Sequence, residues 1–172
     1  MFGSITKNLF KKKPAIKDIP ITDKDALGIN LGKAIDEAFG RSLRIRQVDA
    51  GSCNACEWEC TALTNPIYDI QRFGIDFVAS PRHADVVLVS GPVSRQMALA
   101  LKKTYLATPA PLLVVGLGDC AVDGGIYKGS YAVTDGVQNI VPVDMYIKGC
   151  PPTPLEIISG FLRLIEEFKN KE

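Results

Sequence analysis

Asp85–Gly91 reads DVVLVSG, a run of apolar, mostly β-branched residues with no polar alternation. A strand with one wet face alternates apolar and polar side chains, whereas a strand apolar on both sides must be covered on both faces. That requirement points to a parallel sheet lying between two layers of helices. The flanking segments repeat the pattern. LRIRQV (Leu43 to Val48), PLLVVGLG (Pro111 to Gly118) and VPVDMYIKG (Val141 to Gly149) read as further strands. A helix is expected from Cys60 to Phe73, another over SRQMALALKKTYLAT (Ser94 to Thr108), and a closing one over TPLEIISGFLRLIEEFK, with Thr153 as N-cap and Pro154 at its first position. The alternation of β and α predicts an α/β sandwich with a mainly parallel sheet. IDFVAS (Ile75 to Ser80) is separated from the strand at Asp85 by a link too short for a parallel crossover between sheet neighbours, which takes about a dozen residues. It is therefore expected at the sheet edge or as irregular chain.

The 172 residues suit one domain with a substantial core and are short for two. The expected division is an N-terminal extension over 1–42, with a polar linker and short helix ending near Gly40, followed by a single domain over 43–172. Phe2, Ile5 and Leu9 fall on one face beside Lys7, Lys11, Lys12 and Lys13, so this segment suits an anionic lipid surface, a docking site on a protein, or equally a mobile basic tail. With 20 basic and 19 acidic side chains, net charge +1, no global field favours nucleic acid. No apolar run approaches the roughly 20 residues needed to span a bilayer, so membrane association is expected to be peripheral or through a partner.

Three of the chain's five cysteines stand within DAGSCNACEWECTAL, as Cys53, Cys56 and Cys60. The opening MFGSITKNLFKKKPAIKD has no apolar signal core, which disfavours an exported disulfide framework. Zinc sites favour two Cys pairs or a Cys pair with a His pair, but the chain has one Cys-x-x-Cys and a single histidine, His83. Ligands in open α/β sheets gather beyond the carboxyl ends of the strands. Cys53 and Cys56 follow the first strand, Cys120 follows the segment LLVVGLGD (Leu112 to Asp119), and Cys150 follows the strand ending at Gly149. Three loops thus bring four thiolates to one edge, the number that a four-iron four-sulfur cluster uses, and Cys150-Pro151 repeats a pairing found in ferredoxin-type sites.

GSCNACEWE, RFGIDFVASPRHADVVLVSGPVSR, GDCAVDGG and VPVDMYIKGCPPTPLEII together resemble the small, cluster-bearing subunit of membrane-bound energy-converting nickel-iron hydrogenases, a family that includes the twenty-kilodalton subunit of respiratory complex I. The resemblance runs from Leu43 to the C-terminus. It implies a flavodoxin-like three-layer sandwich and assigns Cys53, Cys56, Cys120 and Cys150 to one 4Fe-4S cluster at the carboxyl ends of the strands. It also implies that the chain carries no catalytic residues of its own. Electrons would pass between a large subunit holding the nickel-iron site and a ferredoxin-like iron-sulfur subunit, in a complex held by membrane subunits on the cytoplasmic side. The Cys-x-x-Cys spacing favours the hydrogenase branch, since the complex I branch has adjacent cysteines there. The alternative is a complex I-like or hydrogenase-related subunit whose partner lacks nickel.

Cys60 begins the expected helix and is read as a small, partly buried non-ligand. Glu57 and Glu59 flank the ligand loop, where they either tune or relay protons to the cluster or answer the helix dipole alone. Arg82 and His83, in SPRHAD, face two readings each: charge or proton coupling near the cluster, or contacts at an interface.

Overall fold

The structure is a computed structural model and describes residues 23–170. The apolar face of Phe2, Ile5 and Leu9, with its lysines, lies outside the described residues. The chain runs α1 (Asp23–Phe39), β1 (Leu43–Asp49), α2 (Ala55–Leu63), β2 (Ile75–Phe77), β3 (Val86–Ser90), α3 (Arg95–Ala107), β4 (Leu113–Leu117), α4 (Asp119–Asp123), β5 (Met145–Ile147) and α5 (Pro154–Lys169). The strands form one sheet in the order β2-β1-β3-β4-β5, and every pair is parallel. This is the flavodoxin order. Helices α1, α2 and α5 pack on one face, α3 and α4 on the other, which makes the three-layer α/β sandwich that the sequence predicts.

Every residue of β3 is buried, with Val86 and Leu88 in one core and Val87 and Val89 in the other. Each such side chain stabilises the fold by about 1.5–3 kcal/mol relative to exposure. The continuous apolar run is therefore a two-faced core strand.

The placement of β2 explains the short link to β3. Phe77 and Val86 both pair with Ile45, on opposite sides of β1, so β2 ends at the level where β3 begins. The chain only has to step across one strand rather than return along its length. As expected, Ile75–Phe77 is an edge strand.

The expected helix from Cys60 to Phe73 is corrected: α2 spans Ala55–Leu63, so Cys60 lies inside it rather than at its start. Asn54 in the left-handed region (φ 72°) turns the chain into the helix. At the other end Pro66 can neither donate an N–H nor pack against the carbonyl a turn earlier. The Asn65 side chain instead accepts from the amides of Ile67 and Tyr68 at 2.8 and 3.1 Å, and only a short 3-10 turn, Ile70–Phe73, follows.

Helix α1 has 17 residues and is longer than the short helix expected within 1–42. Its Leu31 and Ile35 are buried in the same core as Phe161, Leu164 and Ile165 of α5, and the Phe39 and Phe168 rings stack at 5.4 Å. Thr153 caps α5 as expected: its hydroxyl accepts from the Glu156 amide and the Glu156 carboxylate accepts from the Thr153 amide at 2.7 Å. That bond holds the Glu156 carboxyl below its ordinary range.

The corner between α1 and β1 is tied to the start of β3 by Asp85, which is 5% exposed. Its carboxylate accepts from both terminal nitrogens of Arg41, at 2.9 and 2.6 Å, and from the Arg44 amide at 3.0 Å. Replacing Asp85 by Ala leaves a part-buried amide and a guanidinium without their acceptor, a loss of about 1–2 kcal/mol. Urea denaturation of Asp85→Ala should show it, with Asp85→Asn recovering part.

Candidate functional site

Parallel pairing sends the segments after β1, β3, β4 and β5 to one edge of the sheet. Three of them carry Cys53, Cys56, Cys120 and Cys150. Cys53 and Cys150 are exposed, Cys120 is half-buried and Cys56 is buried. Cys56 and Cys120 do not sit in loops as the sequence suggests: each is in the first turn of a helix, α2 and α4.

Electrostatics tie these thiols together. Burial is the first cause pushing the Cys56 thiol up to about 12, and the charges of Glu57, Cys120, Cys53 and Cys150 push the same way. Cys120 is raised by burial and then by Cys150 and Cys53, an effect partly offset by the Ile126 amide donating to its sulfur. Such an amide favours the thiolate, the form that binds iron. Cys60 also rises to about 12, but after burial the charges acting on it are Glu57, Cys56 and Glu59. It lies in the core beneath α2, behind Cys56.

Backbone contacts hold the segments in register. The Gly118 amide donates to Ile147 O at 2.8 Å and the Asp119 amide to Gly149 O at 2.9 Å, while the Asp119 carboxylate accepts from the Gly149 amide at 2.9 Å. Asp119 therefore clamps the segment of Cys120 to that of Cys150. At the first segment, Asp49 accepts from the amides of Gly51 and Ser52 at 2.8 and 2.9 Å. The Glu57 carboxylate accepts from the hydroxyls of Ser52 and Ser90. Sequence reading singled out Glu57 but not Ser52, Ser90 or Asp119. A usable signal was present for Ser90, the one hydroxyl closing an otherwise apolar strand.

Arg82 and His83 precede β3 and so lie at the opposite, amino-terminal edge of the sheet, exposed to solvent. That placement removes a direct role beside the cysteines and leaves the interface reading. Around the cysteine segments several large apolar side chains face solvent: Trp58 (67% exposed), Ile126 (79%), Tyr131 (89%) and, less fully, Tyr127 and Leu155.

The donor set suits an iron-sulfur cluster. All four candidates are thiols, and the cradle is shaped around sulfur: a Cβ on Gly118 would lie 2.7 Å from Cys56 Sγ, and one on Gly125 would lie 3.0 Å from Cys120 Sγ. Among the described residues no group of three or more His, Cys, Asp or Glu is arranged to hold a single metal ion. A cluster distributes its thiolates over separate irons, so it does not need them closed around one point.

A family model described as NADH ubiquinone oxidoreductase, 20 Kd subunit, matches residues 53–164. The chain is 40% identical over 158 residues to formate hydrogenlyase subunit 7 of Escherichia coli, covering 84% of this chain and 62% of that protein, so it spans less than two thirds of that relative's length. It is 45% identical over 135 residues to one of the NADH-quinone oxidoreductase subunits of Desulfovibrio desulfuricans, covering 78% and 72% of the two chains. A solved structure of the membrane-bound sulfane sulfur reductase, an archaeal respiratory membrane complex, contains a similar chain at TM-score 0.69 and 33% identity, covering 82% of this chain and 76% of that one.

Gly118 has φ 84° and ψ 162°, a region that is essentially reserved for glycine. Gly118→Ala should cost about 1–3 kcal/mol of backbone strain and push the Cys56 thiol out of place. Chemical denaturation should report the first effect, and a faster alkylation of Cys56, read by mass spectrometry, the second.

Proposed function

Because the chain belongs to the family of the 20 kDa subunit of NADH-ubiquinone oxidoreductase, we propose that it is the electron-transfer subunit of a membrane-associated nickel-iron hydrogenase complex. One 4Fe-4S cluster would be held by Cys53, Cys56, Cys120 and Cys150. The observation that carries the reading is geometric: three segments leaving parallel strands at one edge of the sheet carry four free cysteines, with Cys56 Sγ packed against Gly118 and Cys120 Sγ against Gly125. When bound, the cluster supplies reversible one-electron chemistry. The chain itself orients the sulfurs through Asp119, Gly118 and the Ile126 amide, and buries Cys56 from water. None of its residues is assigned to bond-making chemistry.

The exposed Trp58, Ile126, Tyr127 and Tyr131 frame the same edge and give it the aromatic character of a protein interface. We assign that edge to a large subunit carrying the nickel-iron site, with a ferredoxin-like subunit and membrane subunits completing the complex. No helix among the described residues is long and apolar enough to cross a membrane. Attachment at the cytoplasmic face would therefore run through those partners. The Cys53-x-x-Cys56 spacing supports the hydrogenase branch. The likeness to chains of NADH-quinone oxidoreductase and of a sulfane sulfur reductase sustains a second reading, in which the large partner lacks nickel. Nickel analysis of the purified complex separates the two.

Anaerobically purified complex should contain about four irons with matching acid-labile sulfide attributable to this chain. Cys150→Ser should abolish that cluster's paramagnetic signal while Cys60→Ser keeps it. One zinc in place of iron, or equal loss in both variants, contradicts the assignment.

Exposed aromatics on this scale promote association in a chain left alone. Expressed without its large partner, the protein should aggregate or lose iron in air, and co-expression should cure both, as size-exclusion chromatography and iron assay would read. A stable, cluster-loaded monomer would argue for a free carrier instead.

A further inference from the structure

We infer that Glu57 is a positioning residue for the Cys53–Cys56 segment: its carboxylate, itself no ligand, ties that segment to the end of β3 and so sets where the two thiolates face. The inference rests on the cluster assignment above and adds to it a residue outside the four cysteines.

Glu57 stands in the first turn of α2, directly after Cys56, and is half-buried. One carboxylate oxygen accepts from Ser52 Oγ at 2.7 Å; the other accepts from Ser90 Oγ. Ser52 is adjacent to Cys53, and its hydroxyl oxygen also accepts from the Asn54 amide at 3.0 Å. Asn54 is the left-handed residue that turns the chain between the two cysteines. Ser90 is fully buried at the carboxyl end of β3. Its other neighbour, the Val48 carbonyl, is more distant at 3.4 Å, so its single proton is directed to Glu57.

One carboxylate thus spans the crevice between β1 and β3, where the strand order reverses. The segment has no slack there, since a Cβ on Gly91 would come within 2.8 Å of the Ser52 amide nitrogen. Hydroxyl-to-carboxylate bonds are about twice as strong as neutral ones, so two of them hold the ligand segment firmly. The same carboxylate also puts a negative charge beside Cys56, and a fixed anion next to a redox centre disfavours adding an electron. Position and potential therefore share one side chain.

Two variants of the anaerobic complex test this, Glu57→Gln and Ser90→Ala, each compared with wild type for iron per chain, rate of iron loss to a chelator, and midpoint potential by redox titration followed by paramagnetic resonance. Partners that orient ligands in this way commonly account for 10- to 100-fold in metal retention. Ser90→Ala should therefore lose iron about tenfold faster than wild type. Glu57→Gln keeps the shape, with its amide oxygen accepting from Ser52 and its N–H donating to Ser90, whose proton can turn to the Val48 carbonyl; it should retain its iron while its midpoint moves to more positive potential. The inference requires both results: an unchanged rate in Ser90→Ala, or an unchanged midpoint in Glu57→Gln, overturns it. A wild-type complex with no four-iron cluster in this chain overturns the proposed function instead, before either variant is compared.

Discussion

Parallel pairing of β1, β3 and β4 is the constraint on which the rest of the molecule depends. In a parallel sheet every strand ends on the same edge, so the segments leaving β1, β4 and β5 meet although they are far apart along the chain. The pairing holds because β3 is buried on both faces, and burial on both faces requires the helices that return the chain to the opposite edge. Core and site are in this sense one arrangement: the hydrophobic run that needs two helical layers also fixes where the cysteines gather.

Convergence alone leaves loops loose, and short polar contacts make it definite. Asp119 clamps the segments of Cys120 and Cys150, and Asp49 and Glu57 shape the segment of Cys53 and Cys56. All three carboxylates accept from backbone amides or serine hydroxyls rather than pairing with cations. The charges of Glu57 and Asp119 act on Cys56 and Cys120 respectively. Cys60 shows the contrast. It is as strongly shifted as Cys56, yet it sits behind it in an apolar core, where a thiol is inert.

The relatives carry names from three kinds of complex: a formate hydrogenlyase, an NADH-quinone oxidoreductase and a sulfane sulfur reductase. The proposed electron-transfer role would account for that breadth, because a chain that relays electrons leaves the choice of substrate to other subunits. Under the same reading, the exposed edge with Trp58, Ile126 and Tyr131 is where the proposed large subunit would pass that choice to this chain.

Much of this was legible in the amino acids. The uninterrupted β-branched run of β3, the alternation of strands and helices, the Thr153 cap of α5 and the four cysteines at strand ends all depend on nearest neighbours or on short periodicities, and these a single sequence records. What it did not record depends on contacts across the chain. The end of α2 turned on how Asn65 and Pro66 satisfy the backbone, and the seat of β2 on a register shared with β3 across Ile45. The bonds from Ser90 to Glu57 and from Gly149 to Asp119 join residues 33 and 30 positions apart. Hydrogen bonds of that span have no periodicity to read, because their partners become neighbours only after the sheet has formed. Fold class and the convergence of the cysteine segments were thus determined by the sequence, whereas the clamps that join Ser90 to Glu57 and Gly149 to Asp119 were decided by tertiary structure, which alone brings those partners within reach.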